Sequence, residues 1–173
     1  MRRSIATVCL SGTLEEKLEA IASARFDAVE IFENDFINYH GSAADVRRMC
    51  HDLGLGIDLY QPFRDFEGVG DEQFRRNLDR AERKFDIMEE LGAPLLLVCS
   101  NVSPLAIADD ARSAAQLHEL AERAARRNLS IGFEALAWGR QVRHYQHAWK
   151  IVKEANHPHL GILLDSFHML SLG

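Results

Sequence analysis

At 173 residues, 47% hydrophobic and 27% charged, the chain has ordinary globular composition and enough length to bury a substantial core, which excludes disorder. Its formal net charge is −6, and basic clusters such as Arg75-Arg76 and Arg123 with Arg126-Arg127 read as solvated helix faces, which argues against a nucleic-acid surface. No run approaches the ~20 uninterrupted apolar residues of a spanning helix, and Met1-Arg2-Arg3-Ser4-Ile5 lacks the apolar core of a signal peptide, so a cytoplasmic protein without membrane contact is expected.

Short apolar or β-branched runs alternate with amphipathic stretches, the pattern of βα units on a parallel sheet. The first strand is predicted at 4–10. Thr13-Leu14-Glu15-Glu16 then forms a capping box that opens a helix with Leu14, Leu18 and Ile21 on one face. A second strand at 28–33 precedes a helix that starts near Ser42, turns Val46, Met49 and Leu53 inward and stops at Gly54. The third strand, 55–60, runs into Gln61-Pro62-Phe63-Arg64. A long helix follows from about Asp71, with Phe74, Leu78, Ala81, Phe85, Met88 and Leu91 at three- and four-residue spacing and Gly92 as its cap.

Residues 95–99, apolar throughout, predict a fourth strand covered on both faces. An Ala-rich helix with Ala114, Leu117, Ala121 and Ala124 inward leads to a fifth strand at 130–134. A further helix, expected to bury Val142, Tyr145, Trp149 and Val152, leads to a sixth at 160–165. Six such units suit either a doubly wound sheet or an incomplete (β/α)₈ barrel. The barrel is favoured, because no Gly-rich phosphate fingerprint follows the first strand and polar residues recur at strand C-termini: Glu33, Gln61 with Arg64, Ser100 with Asn101, Glu134, Asp165. A barrel of this kind needs ~250 residues. Residues 1–173 are therefore expected to form the N-terminal part of one barrel domain, about six βα units long, with exposed sheet edges.

Cys9, Cys50 and Cys99 have no close metal-type spacing and read as reduced, mostly buried thiols. Glu134 and Asp165 end consecutive strands, so both carboxylates should reach the barrel mouth near enough to share a divalent cation. Carboxylate coordination suits Mg²⁺ or Mn²⁺, with Co²⁺ or Zn²⁺ as further options. Either residue alone would more simply bond neighbouring amides. His168, three residues after Asp165, stands where an imidazole can exchange protons, although a plain loop histidine is the alternative. The other seven histidines read as surface residues. Arg64 is suited to a bidentate clamp on a substrate carboxylate, or equally to a loop anchor paired with Asp65 or Glu67. Trp138 either walls the site or simply packs.

Several segments carry a resemblance to a known family: Glu-Ile-Phe-Glu-Asn-Asp at 30–35, Gln-Pro-Phe-Arg-Asp-Phe-Glu-Gly at 61–68, Phe-Arg-Arg-Asn-Leu-Asp-Arg-Ala-Glu-Arg-Lys-Phe at 74–85, Leu-Val-Cys-Ser-Asn-Val at 97–102, Glu-Ala-Leu-Ala-Trp-Gly at 134–139 and Leu-Asp-Ser-Phe-His at 164–168. Over nearly its whole length the chain resembles the bacterial 3-dehydroshikimate dehydratases of the xylose-isomerase-like superfamily of sugar-phosphate isomerases and epimerases.

The resemblance implies a (β/α)₈ barrel that converts 3-dehydroshikimate to protocatechuate and water through an enolate, with a divalent cation (Mg²⁺, Mn²⁺ or Co²⁺) held by Glu134 and Asp165. It implies that His168 contacts substrate or transfers its proton, and that Arg64 binds substrate. Homo-oligomers and a fused C-terminal domain resembling 4-hydroxyphenylpyruvate dioxygenase are compatible with it. The rivals are a sugar-phosphate or hydroxypyruvate isomerase or epimerase using the same mouth, and an inactive fragment of such an enzyme. A DNA-repair endonuclease on the same barrel would need a histidine-rich site and a basic surface, which this acidic chain lacks.

Overall fold

The structure, a computed structural model, describes residues 2–172. Strands and helices alternate as β1 (Ser4–Ala6), α1 (Leu14–Ser23), β2 (Ala28–Phe32), α2 (Glu33–Ile37), α3 (Ala43–Asp52), β3 (Gly56–Phe63), α4 (Asp71–Leu91), β4 (Leu95–Cys99), α5 (Asp110–Ala125), β5 (Ser130–Glu134), α6 (Tyr145–Ala155), β6 (Leu160–Leu163) and α7 (Ser166–Leu170). The six strands lie in chain order in one sheet, and β1–β2, β2–β3 and β5–β6 are parallel pairs. An order without reversal is that of a singly wound βα repeat, whereas a doubly wound sheet reverses at its switch point.

By internal contacts the chain divides into two units: the chain up to Pro62 with Asp86–Leu96, and Phe63–Phe85 with the chain from Leu97 onward. In the first unit, α1 opens with the expected capping box. Thr13 Oγ1 accepts from Glu16 N at 3.3 Å, and Glu16 Oε2 accepts from Thr13 N at 2.8 Å. Leu14, Leu18 and Ile21 are buried as predicted. So is Lys17, whose ammonium lies 2.7 Å from Asp35 Oδ1, so the buried charge is paired. In α3 the buried stripe is Ala43, Val46 and Cys50; Met49, one position before Cys50, and Leu53, the C-cap, are only half-buried rather than inward as expected.

In this unit two strands end earlier than predicted, as β6 does in the other. Thr7–Cys9 form a 3₁₀ turn in place of the last turns of β1; Thr7 Oγ1 accepts from Phe32 N at 3.0 Å, which seals Thr7 inside and leaves Cys9 exposed rather than buried. Glu33 begins α2 instead of ending β2.

In the second unit, α5 buries Ala114, Leu117, Ala121 and Ala124 as predicted, together with Leu120. Fully burying one such Leu is worth roughly 1.5–3 kcal/mol. The face of α6 differs from expectation: Ala148, Ile151, Val152 and Ala155 are buried, whereas Tyr145 and Trp149 are exposed. Spacing at i, i+3, i+4 and i+7 from Ala148 defines a complete stripe of small and aliphatic residues. Trp149 lies outside it, with the Lys153 ammonium 5.8 Å from its ring centroid. Of the histidines expected at the surface, His157 is instead sealed in, its Nδ1 accepting from His159 N and its Nε2 3.2 Å from Glu122 Oε1. Among the described residues strand β6 ends the sheet, and Leu164 beyond it is 55% exposed.

Candidate active site

Register brings the two carboxylates together. Glu134 stands opposite Leu163 in the parallel β5–β6 pair, and side chains alternate faces along a strand, so Asp165, two residues past Leu163, projects to the side of Glu134. Asp165 lies just beyond β6, not within it. As N-cap of α7 its Oδ1 accepts from Phe167 N at 2.7 Å, which turns Oδ2 toward His168 Nε2, 3.7 Å away. Ligand atoms of Glu134, Asp165 and His168 all lie within 4.8 Å of one another. Cation–oxygen distances of 2.0–2.6 Å put two ligands of one ion up to about 5 Å apart, so the spacing suits a shared divalent cation.

His168 is buried and its place in this group is set by its hydrogen bond. Its Nδ1 accepts from Ala137 N at 3.3 Å, so the neutral ring carries its proton on Nε2. An Nε2–H presented to Asp165 is a donor and not a ligand. Trp138 and Phe167 close round the ring edge-on, with centroids 4.8 and 5.4 Å away, and fix its plane. Trp138 itself is 54% exposed, so it walls the site from the solvent side.

Below Glu134, the buried Cys99 thiol donates to Oε2 at 3.8 Å. Burial, helped by the Glu134 carboxylate, pushes its pKa up to about 12, so it stays protonated as a donor. The backbone on either side of Glu134 is equally pinned: Ser100 N donates to Glu134 O at 2.8 Å, and Ser100 Oγ accepts from Leu136 N at 3.0 Å. Gly139 lets these loops meet, since a Cβ there would stand 2.1 Å from Val142 O and 2.6 Å from Ser100 Oγ.

Sequence reasoning gave Glu67 only a pairing role; the structure gives it a different one. Its Oε1 accepts from Asn101 N at 2.8 Å and its backbone oxygen accepts from Asn101 Nδ2 at 2.7 Å, while Oε2 is buried without a hydrogen-bond partner. Burial, with Asp65 nearby, pushes the carboxyl up to about 7. Asp65 Oδ1 accepts from Val102 N at 3.1 Å. The loop-anchor reading of Arg64 therefore fails: Asp65 and Glu67 hold backbone amides, and Arg64 is exposed without a hydrogen bond or ion pair among the described residues. Its charge does reach the Cys99 thiol. A cavity of about 210 Å³ has Asp165, His168, Arg143, His144, Tyr145 and Gln146 in its lining; Glu134 and Arg64 are not on its wall.

Known proteins bear on this site. The chain is 64% identical over 172 residues to 3-dehydroshikimate dehydratase of Pseudomonas aeruginosa, covering 99% of this chain but 27% of that protein. It matches a solved xylose isomerase-like TIM barrel/4-hydroxyphenylpyruvate dioxygenase fusion protein at TM-score 0.98 and 61% identity, covering 99% of this chain and 28% of that one. The IOLI protein, solved with a binding zinc atom, shares the fold at TM-score 0.89 and 19% identity, over 100% of this chain and 66% of its own. Residues 18–173 match the model of the xylose isomerase-like TIM barrel, and with consecutive parallel βα units and carboxylates at the ends of neighbouring strands, the chain belongs to that family.

Proposed function

We propose that this chain is the N-terminal part of a longer enzyme that dehydrates 3-dehydroshikimate to protocatechuate with the aid of a divalent cation. The observation that carries the reading is its 64% identity to a protein of that name across the segment holding Glu134, Asp165 and His168. That relative is nearly four times as long as the matched segment, and the fusion protein carries a dioxygenase part, which supports a second domain in the parent of this chain.

The donor set fits a hard divalent cation: two carboxylates on adjacent strands, one buried and one half-exposed. Glu134 and Asp165 would hold it. When bound, such a cation supplies positive charge that stabilises an enolate developing beside a ketone. The remaining steps fall to the chain's own groups. Cys99 and the Ser100 amide hold Glu134 in place, and α7 capping holds Asp165. His168 keeps its Nε2–H, which serves as a hydrogen-bond donor to a substrate oxygen on which negative charge develops, and the Ala137 amide fixes that tautomer. Trp138 and Phe167 shield His168 from water.

An isomerase or epimerase would use the same carboxylates, so the test is product formation. Intact parent protein, stripped by chelator and restored with Mg²⁺, Mn²⁺ or Co²⁺, is expected to form protocatechuate from 3-dehydroshikimate. No product with any metal would shift the assignment to the isomerase and epimerase class.

A further inference from the structure

We propose that Arg143, in the loop between β5 and α6, is the residue that reads the substrate carboxylate, with Gln146 as its neighbouring donor. This rests on the dehydratase reading, and it moves anion recognition away from Arg64.

Three observations support it. First, Arg143 and Gln146 line the same cavity as Asp165 and His168, and Arg64 does not. Second, neither Arg143 nor Gln146 makes a side-chain hydrogen bond or ion pair among the described residues, so binding an anion breaks no existing pair. Third, α6 carries no acidic residue in its first turn, so nothing on that wall repels an anion. Asp165 and His168, the groups assigned to the cation and to the substrate oxygens, belong to the same lining, so the ring oxygens take their place beside them and the carboxylate is left to the arginine. A substrate bearing one carboxylate is therefore oriented: its anionic end toward Arg143 and its ring toward His168 and Asp165. A guanidinium can take both oxygens at once.

The test compares binding of protocatechuate with catechol, the same ring without the carboxylate, by calorimetry on the metal-loaded full-length protein, as wild type, R143Q, R143K and R64Q. Wild type should prefer protocatechuate. R143Q should weaken protocatechuate by about tenfold to a hundredfold, the range of a charge-assisted pair, and leave catechol within about twofold. R143K should fall between, because an ammonium keeps the charge and loses the fork. The proposal is overturned if R143Q leaves protocatechuate binding unchanged, if it weakens both ligands equally, if R64Q alone removes the preference, or if wild type shows no preference. Failure of wild type to turn over 3-dehydroshikimate would sink the dehydratase reading by itself, since the binding comparison needs no turnover.

Discussion

Replacing Glu67 with Gln tests whether a sealed carboxyl is neutral in the folded chain. One oxygen of Glu67 is bonded to the Asn101 amide, and the other is buried with no hydrogen-bond partner, an arrangement that suits a protonated acid. Burial displaces its pKa from an ordinary 4.5 to about 7. The unfolded chain thus loses this proton at lower pH than the folded one. Stability from this group is complete below pH 4.5, falls as pH rises toward 7 and is gone above it. A displacement of about 2.5 at about 1.4 kcal/mol per unit makes the loss about 3 kcal/mol. Gln keeps an acceptor for the Asn101 amide and cannot ionise, so E67Q lacks this slope and carries only a constant offset. Urea denaturation of wild type and E67Q in parallel, from pH 4.5 to 8.5, should show wild type losing about 3 kcal/mol relative to the variant. Parallel stability curves across that range would refute the neutral-acid assignment.

Three further outcomes are expected. His168→Ala in the intact enzyme should lower kcat by about a hundredfold or more, the usual cost of removing a positioned hydrogen-bond donor to a developing oxyanion, with metal content unchanged; loss of metal would instead make His168 a ligand. Glu134→Gln should lower bound metal measured by elemental analysis, since a neutral amide replaces one of two carboxylates, and undiminished metal would remove Glu134 from the site. Gly139→Ala should cost about 1–3 kcal/mol in thermal unfolding, because the new Cβ collides with backbone at Val142 O; an unchanged melting temperature would mean the loops are free to separate.

Arg64 and Arg143 show what a linear reading can and cannot weigh. Arg64 stood out because it follows a strand and sits in a recognisable segment. Arg143 lies in a loop with no periodicity and no motif, and its relation to His168 shows only in the cavity that both line. Trp149 failed in a different way: counted as apolar it fits a helical stripe, yet the aliphatic stripe from Ala148 to Ala155 covers the buried face without it.

The sequence by itself determined the alternation of strands and helices, the caps of α1 and α3, and the placing of Glu134 and Asp165 at the ends of neighbouring strands, because periodicity and capping act over a few residues. Tertiary structure decided which His168 nitrogen carries the proton, that Glu67 is sealed with one oxygen unbonded, and that Arg143 shares a cavity with Asp165. Those facts depend on which loops meet after the strands pair, and residues 31 to 37 positions apart in the chain come together only there.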